Sequence, residues 1–171
     1  MHRYAWLLLF GCSMTVAAQQ EQRPHAYAFD NPELVSTQRV FGIGNATTLL
    51  GQACDGFPEA AISYAAWLTQ NQATLTSMTD TLAVHYRIPV TAADLQARVA
   101  KAMLLKTALD LSSSTLDEVC PNLPETLALP SMNLQQRYQE SLVEVRDPNY
   151  LNPKRKLAIT PKPVVVTEET E

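Results

Sequence analysis

Few side chains in this chain are of the types that catalyse reactions or bind metals. It has three histidines and three cysteines among 171 residues, and only His25 and His85 remain once a predicted leader is removed. A zinc site needs three or four ligands within reach, which Cys54, Cys120 and His85 could begin to supply. We expect the two cysteines to be oxidised instead, so the sequence predicts no metal site and no cofactor.

Candidate catalytic groups are equally sparse. His85 would be the base of a Ser–His–acid triad, but there is no Gly-x-Ser-x-Gly motif to present a serine to it. Glycosidases need only two carboxylates about 5–10 Å apart, and Glu59, Asp80 and Asp94 lie near predicted helix ends. Acids are also favoured at helix starts for electrostatic reasons. The sequence therefore predicts no catalytic residues, and a small enzyme that degrades the cell wall is the alternative.

Tyr64, Trp67 and Asn71 form the most informative cluster. They are spaced i, i+3 and i+7, so they share one side of a helix. An exposed Trp–Tyr pair beside an amide is typical of a contact with another protein or with a glycan. The alternative is that the aromatic rings fill the core and Asn71 satisfies a neighbouring turn, since a polar group inside a core needs a partner.

The N-terminus predicts export. Arg3 precedes an apolar run, Tyr4–Phe10, and residues 16–18 are small, as a signal peptidase requires. We predict a signal peptide over residues 1–18 and a periplasmic location, because the run is too short to span a bilayer. Leu9-Phe10-Gly11-Cys12 also resembles a bacterial lipobox, and lipidation at Cys12 would instead anchor the protein to a membrane.

Charge and cysteine content limit the partners. The formal net charge is −4 and becomes −5 when Arg3 leaves with the leader, which argues against nucleic acid and anionic membranes as partners. Contact with a membrane is expected only if Cys12 is lipidated. Cys54 and Cys120 predict one disulfide, since paired cysteines in an exported chain are usually bonded.

Helical periodicity dominates the remaining elements. A long helix is predicted from Pro58 to about Ile88, and a second one from Ala92 to about Leu111. Only a short connection separates them, so they should form a long antiparallel hairpin. No segment alternates as a strand does, which predicts an all-α fold of four to six helices. Shorter helices are expected at about 32–41, 46–55, 114–120, 124–129 and 132–146.

The expected organisation has four parts. A signal peptide (1–18) precedes an irregular lead (19–44), a helical domain (45–146) and a disordered tail (147–171), in which the basic residues 154–156 are a further candidate contact. We predict a non-enzymatic protein that binds another protein of the bacterial envelope, as an inhibitor, an immunity protein or an assembly factor. A lipid-anchored structural or assembly component is the second alternative to this function, beside the wall-degrading enzyme.

Overall fold

The computed structural model describes residues 27–150. These residues form six α-helices and two 3-10 helices, without a strand, which confirms the predicted all-α class. The predicted signal peptide, Cys12 and residues 151–171 lie outside the described residues. The α-helices are α1 (Pro32–Ala53), α2 (Pro58–His85), α3 (Leu95–Ala102), α4 (Ser113–Val119), α5 (Leu123–Leu127) and α6 (Leu134–Val145), and the 3-10 helices are Cys120–Asn122 and Pro130–Met132.

Helix α1 packs against α2, α3 and α6. Asn31 caps its start by accepting a hydrogen bond from the Leu34 N–H at 3.0 Å, and Pro32 occupies the first turn, where a missing N–H costs nothing. Because neighbours surround it, α1 buries apolar and polar residues alike, including Phe41 and Gln38. Helix α2 contacts α1, α3, α5, α6 and the 3-10 helix Cys120–Asn122, so the other helices are arranged around α1 and α2 together.

A long antiparallel hairpin is present, but α1 and α2 form it, whereas the predicted partner of α2 was the helix that follows it. Four residues, 54–57, join the two helices. Residue numbers fall along α1 as they rise along α2, which shows that the helices are antiparallel. The contacts that establish this register are Gly51 against Tyr64, Gly44 against Leu75, and Gln38, whose Nε2 donates to the Tyr86 hydroxyl at 2.7 Å.

The predicted break before residue 45 is wrong. Residues 32–44, assigned to the irregular lead, belong to α1, which passes through Gly42-Ile43-Gly44 without interruption. Gly44 serves packing instead of a turn, because an added Cβ there would lie 2.9 Å from Leu75 Cδ1 and 3.1 Å from Leu134 Cδ1. From the local sequence, a glycine that lets two helices approach closely cannot be distinguished from a glycine that ends a helix.

The predicted helix over 92–111 is also wrong in length, because α3 ends at Ala102. Leu104 adopts a left-handed conformation, with φ of 57°, and the Leu105 N–H donates to Ala100 O at 2.8 Å. This is the closing pattern that usually employs glycine. Beyond it the chain is non-helical until α4, and Asn45 Nδ2 holds this connection by donating to Lys106 O at 2.9 Å.

The predicted disulfide is present. The Cys54 and Cys120 sulfurs are bonded at 2.04 Å, and both residues are fully buried. They form a small apolar cluster with Ala60 and Leu123, separate from the main core between α1, α2, α3 and α6. Within residues 27–150, no helix combines the length and the apolar character that crossing a membrane would require.

Candidate binding surfaces

Trp67 and Tyr64 lie together on α2, as the sequence predicts, but they face inward. Trp67 is only 3% exposed, and its Nε1 donates to Met132 O at 2.8 Å. The half-buried Tyr64 ring stacks on it at a centroid distance of 6.1 Å and also packs over Gly51. The two rings therefore fill the space between α2 and its neighbours.

Asn71 is equally enclosed, at 2% exposure. Its Nδ2 donates to Trp67 O at 2.9 Å, and its Oδ1 accepts a hydrogen bond from the Leu134 N–H at 2.7 Å. Leu134 is the first residue of α6, so Asn71 satisfies an N–H that the helix itself leaves unpaired. These contacts fit the alternative interpretation of this cluster, in which the aromatic rings fill the core and Asn71 satisfies a neighbouring turn. Trp67 and Asn71 have almost no surface to offer a partner.

Two of the carboxylates considered for glycan cleavage, Glu59 and Asp80, are too far apart to act together. Glu59 and Asp80 stand on the same helix 21 residues apart, which is about 31 Å along its axis at 1.5 Å per residue. Asp94 accepts a hydrogen bond from Arg98 Nε at 2.6 Å, which lowers the pKa of this carboxyl. A general acid needs a raised pKa instead.

The candidate metal ligands do not form a metal site. The two cysteines are consumed by the disulfide, and His85 is exposed at the end of α2 with its ring edge-on to Tyr86 at 4.7 Å. Among residues 27–150, no three histidine, cysteine or acidic side chains are grouped so that they could hold a metal ion.

One side of α2 is exposed and carries no charge over most of its length. The 20 residues from 60 to 79 contain no charged side chain, whereas the solvent side of a surface helix normally bears several. Ile62 is 71% exposed at the N-terminal end of this surface. We call it the uncharged face, and it consists of Ile62, Ala65, Ala66, Thr69, Ala73 and Thr76, all of which are exposed.

A second feature is a cleft between α2 and α6, with α1 beneath it. Its volume is about 320 Å³. The hydrogen bond between Asn71 and Leu134 joins α2 and α6 at one end of the cleft. The lining residues that belong to α2 and α6 lie C-terminal to Asn71 and Leu134, respectively. We call it the α2–α6 cleft, and its lining consists of Asn31, Glu33, Leu34, Thr37, Thr74, Ser77, Met78, Thr81, Gln135 and Tyr138.

Comparison of the chain with protein-family models, with characterised proteins and with solved structures finds no match. The basis for proposing a function is therefore the uncharged face and the α2–α6 cleft. Sequence reasoning missed both of them. The charge-free stretch from 60 to 79 is visible in the sequence and could have indicated the uncharged face. The cleft depends on how three helices pack, and no local pattern announces it.

Proposed function

We propose that this chain is an exported protein of the bacterial envelope that acts without catalysis, by binding another protein through the uncharged face of α2. The observation that carries the proposal is the exposure of this face. The buried disulfide between Cys54 and Cys120 supports export, because such bonds persist in oxidising compartments. An inhibitor, an immunity protein or an assembly factor would each act in this way.

The composition of the face defines the partner surface. Alanines at 65, 66 and 73 let a partner backbone approach closely, and the exposed Ile62 offers an apolar anchor. A charged partner residue placed over this face would lose its water without meeting a counter-charge, which is costly. The fitting partner therefore presents an uncharged surface, such as the small-residue side of a helix.

Site-directed photocrosslinking in intact cells tests this contact. A photoreactive residue replaces Ala66 or Ala73 on the face and, as the control, the exposed Gln139 on α6. We expect one adduct of the same mass from positions 66 and 73 and none from 139. Adducts of equal yield from all three positions would contradict the proposal, as would an adduct of two copies of this chain.

Charge substitutions provide the matched test. Ala66→Glu and Ala73→Glu place an unpaired carboxylate in the contact and should abolish the adduct formed from the other position. Gln139→Glu adds the same charge elsewhere and should leave the adduct unchanged.

Release of fragments from purified cell wall by the protein would oppose the proposal and favour the enzyme alternative.

The mature N-terminus tests export itself. Mass spectrometry of protein from the envelope fraction should find a chain that begins at Gln19. A lipid on Cys12 would identify the membrane-anchored form. An uncleaved chain in the cytoplasm would exclude export.

A further inference from the structure

The α2–α6 cleft contains hydrogen-bonding groups that the fold does not use. Thr69, Thr79 and Thr81 on α2 each donate to the carbonyl oxygen four residues earlier. By contrast, the hydroxyls of Thr74 and Ser77 make no hydrogen bond to any other residue in the described part of the chain. The same holds for the Gln135 amide and the Tyr138 hydroxyl, which face them from α6.

The charge of the cleft limits what it can hold. Glu33 is the one ionisable acid or base in the lining, and a hydrogen bond from Arg146 lowers the pKa of this carboxyl, so it stays ionised. No basic side chain lines the cleft. Because the positive charge of Arg146 is already paired with Glu33, the lining supplies no further cation for a phosphate or carboxylate, and a neutral ligand fits it better.

Size and shape limit the ligand further. A volume of about 320 Å³ is at the lower end of the range for small-ligand sites. The Asn71–Leu134 hydrogen bond joins the helices at one end, so an extended chain cannot pass through there. Leu34 and Met78 add an apolar patch beside the polar groups.

We infer that the α2–α6 cleft is a binding site for a short, neutral saccharide. Thr74, Ser77 and Tyr138 carry hydroxyls that both donate and accept hydrogen bonds, and the Gln135 amide also does both. Such groups match sugar hydroxyls and N-acetyl groups, which are mixed donors and acceptors, while Leu34 and Met78 suit the C–H face of a sugar ring. The Glu33 carboxylate adds an acceptor for sugar hydroxyls.

Titration with N,N′-diacetylchitobiose, followed by amide NMR shifts, tests the inference. We expect saturable shifts confined to residues 74–81 and 134–138, with little response to glucose 6-phosphate. The double variant Thr74→Val/Tyr138→Phe keeps the side-chain shapes but removes two hydroxyls, and should weaken binding about tenfold or more. Gln135→Ala, at an exposed position, provides a second variant that should fold normally.

Thr76→Val is the matched control, because it makes the same change on the same helix but on the uncharged face. It should leave saccharide affinity unchanged. Absence of saturable shifts, equal affinity in the double variant, or preferential binding of a neutral tripeptide would each overturn the inference. The photocrosslinking adduct at Ala66 should survive in the double variant, so failure of either proposal can be recognised separately.

Discussion

At the scale of single residues, Asn71 connects two helices that are far apart in sequence. Its Oδ1 accepts from the Leu134 N–H inside the core. Asn71→Leu keeps a similar size but leaves this N–H without an acceptor, and an unsatisfied buried donor costs about 1–3 kcal/mol. We expect the free energy of unfolding, measured with urea, to fall by about 2 kcal/mol.

Gln70→Leu is the matched control for this substitution. Gln70 is exposed on the same turn, so its replacement should change the free energy of unfolding by no more than about 0.5 kcal/mol. Equal losses in the two variants would show that the Leu134 N–H finds another acceptor, and that Asn71 does not hold α6 in place.

Leu104 adopts a backbone conformation that its residue type disfavours. It adopts a φ of 57°, and its side chain is 72% exposed. A left-handed conformation costs a residue with a Cβ about 1–2 kcal/mol, which glycine avoids. We predict that Leu104→Gly raises the free energy of unfolding by about 1 kcal/mol.

Leu104→Ala separates the two contributions at this position. Alanine removes the exposed apolar side chain but keeps the Cβ, so it should stabilise the protein less than glycine does. If alanine and glycine gave the same unfolding midpoint, the backbone explanation would fail.

At the scale of elements, the accuracy of a predicted helix bound depends on whether local sequence or contacts with other helices determine it. The predicted start of α2 agrees with Pro58 because a proline marks it locally. The helix ends at His85 instead of Ile88, because Arg87 adopts a left-handed conformation with φ of 57° and the Ile88 N–H donates to Ala83 O at 2.8 Å. The length of α3 was missed because Leu104 ends it without a glycine. The continuity of α1 was missed because contacts with α2 and α6, rather than local preference, explain its Gly44.

At the glycines of α1, the helical preference for alanine favours substitution, whereas close packing against a neighbouring side chain opposes it. An added Cβ at Gly42 would lie 4.0 Å from Leu105 Cδ1, an ordinary contact, whereas at Gly51 it would lie 2.2 Å from Tyr64 Cδ2. Gly42→Ala should therefore raise the free energy of unfolding by about 0.5–1 kcal/mol, the helical preference for alanine. Gly51→Ala should lower it by about 1–3 kcal/mol through overpacking.

Thermal unfolding of the two variants measures both effects under the same conditions. Gly56→Ala serves as a reference, because nothing lies within 4 Å of an added Cβ there. Stabilisation by Gly51→Ala would mean that the α1–α2 contact is looser than the structure shows.

The contact between α1 and α6 includes two exposed ion pairs, Arg39 with Glu144 and Arg146 with Glu33. The hydrogen bond from Arg146 lowers the pKa of Glu33 below its ordinary value of 4.5. A carboxyl with a lowered folded-state pKa stabilises the fold above its ordinary pKa. That contribution is lost as the pH falls through the lowered value.

The corresponding prediction is that Arg146→Gln raises the pKa of Glu33 towards 4.5 and makes stability less dependent on pH below that value. NMR titration of the Glu33 carboxyl measures the first effect. Arg137→Gln removes a different pair, with Glu140, and should leave the Glu33 titration unchanged. A Glu33 pKa that is the same with and without Arg146 would contradict the assigned cause.

At the scale of the whole molecule, helical periodicity was sufficient to predict the fold class, and cysteine content was sufficient to predict the disulfide. The surfaces were not predictable to the same degree. Trp67 was considered as a contact residue because its spacing fits both an exposed and a buried position, and only the packing of Met132 over it decides between them. A cleft formed by three helices exists only once those helices are assembled.

The disulfide provides the last test, because it connects the turn of the hairpin to a part of the molecule with little core of its own. Helix α4 buries no residue, and α5 buries only Leu123. The bond closes a separation of 66 residues, for which the chain-entropy model gives about 4 kcal/mol. The double variant Cys54→Ala/Cys120→Ala should lose about this much free energy of unfolding.

Hydrogen exchange measures which helices lose stability when the disulfide is absent. Without the disulfide, amides of α4 and the 3-10 helix Cys120–Asn122 should exchange first, because the cluster of Cys54, Ala60, Cys120 and Leu123 is what holds them to α2. Amides in the middle of α1 should remain protected until global unfolding. Reduced wild-type protein should behave as the double variant does. If exchange instead rose uniformly across all helices, the disulfide would stabilise a single cooperative unit, and the two apolar clusters would not be separable.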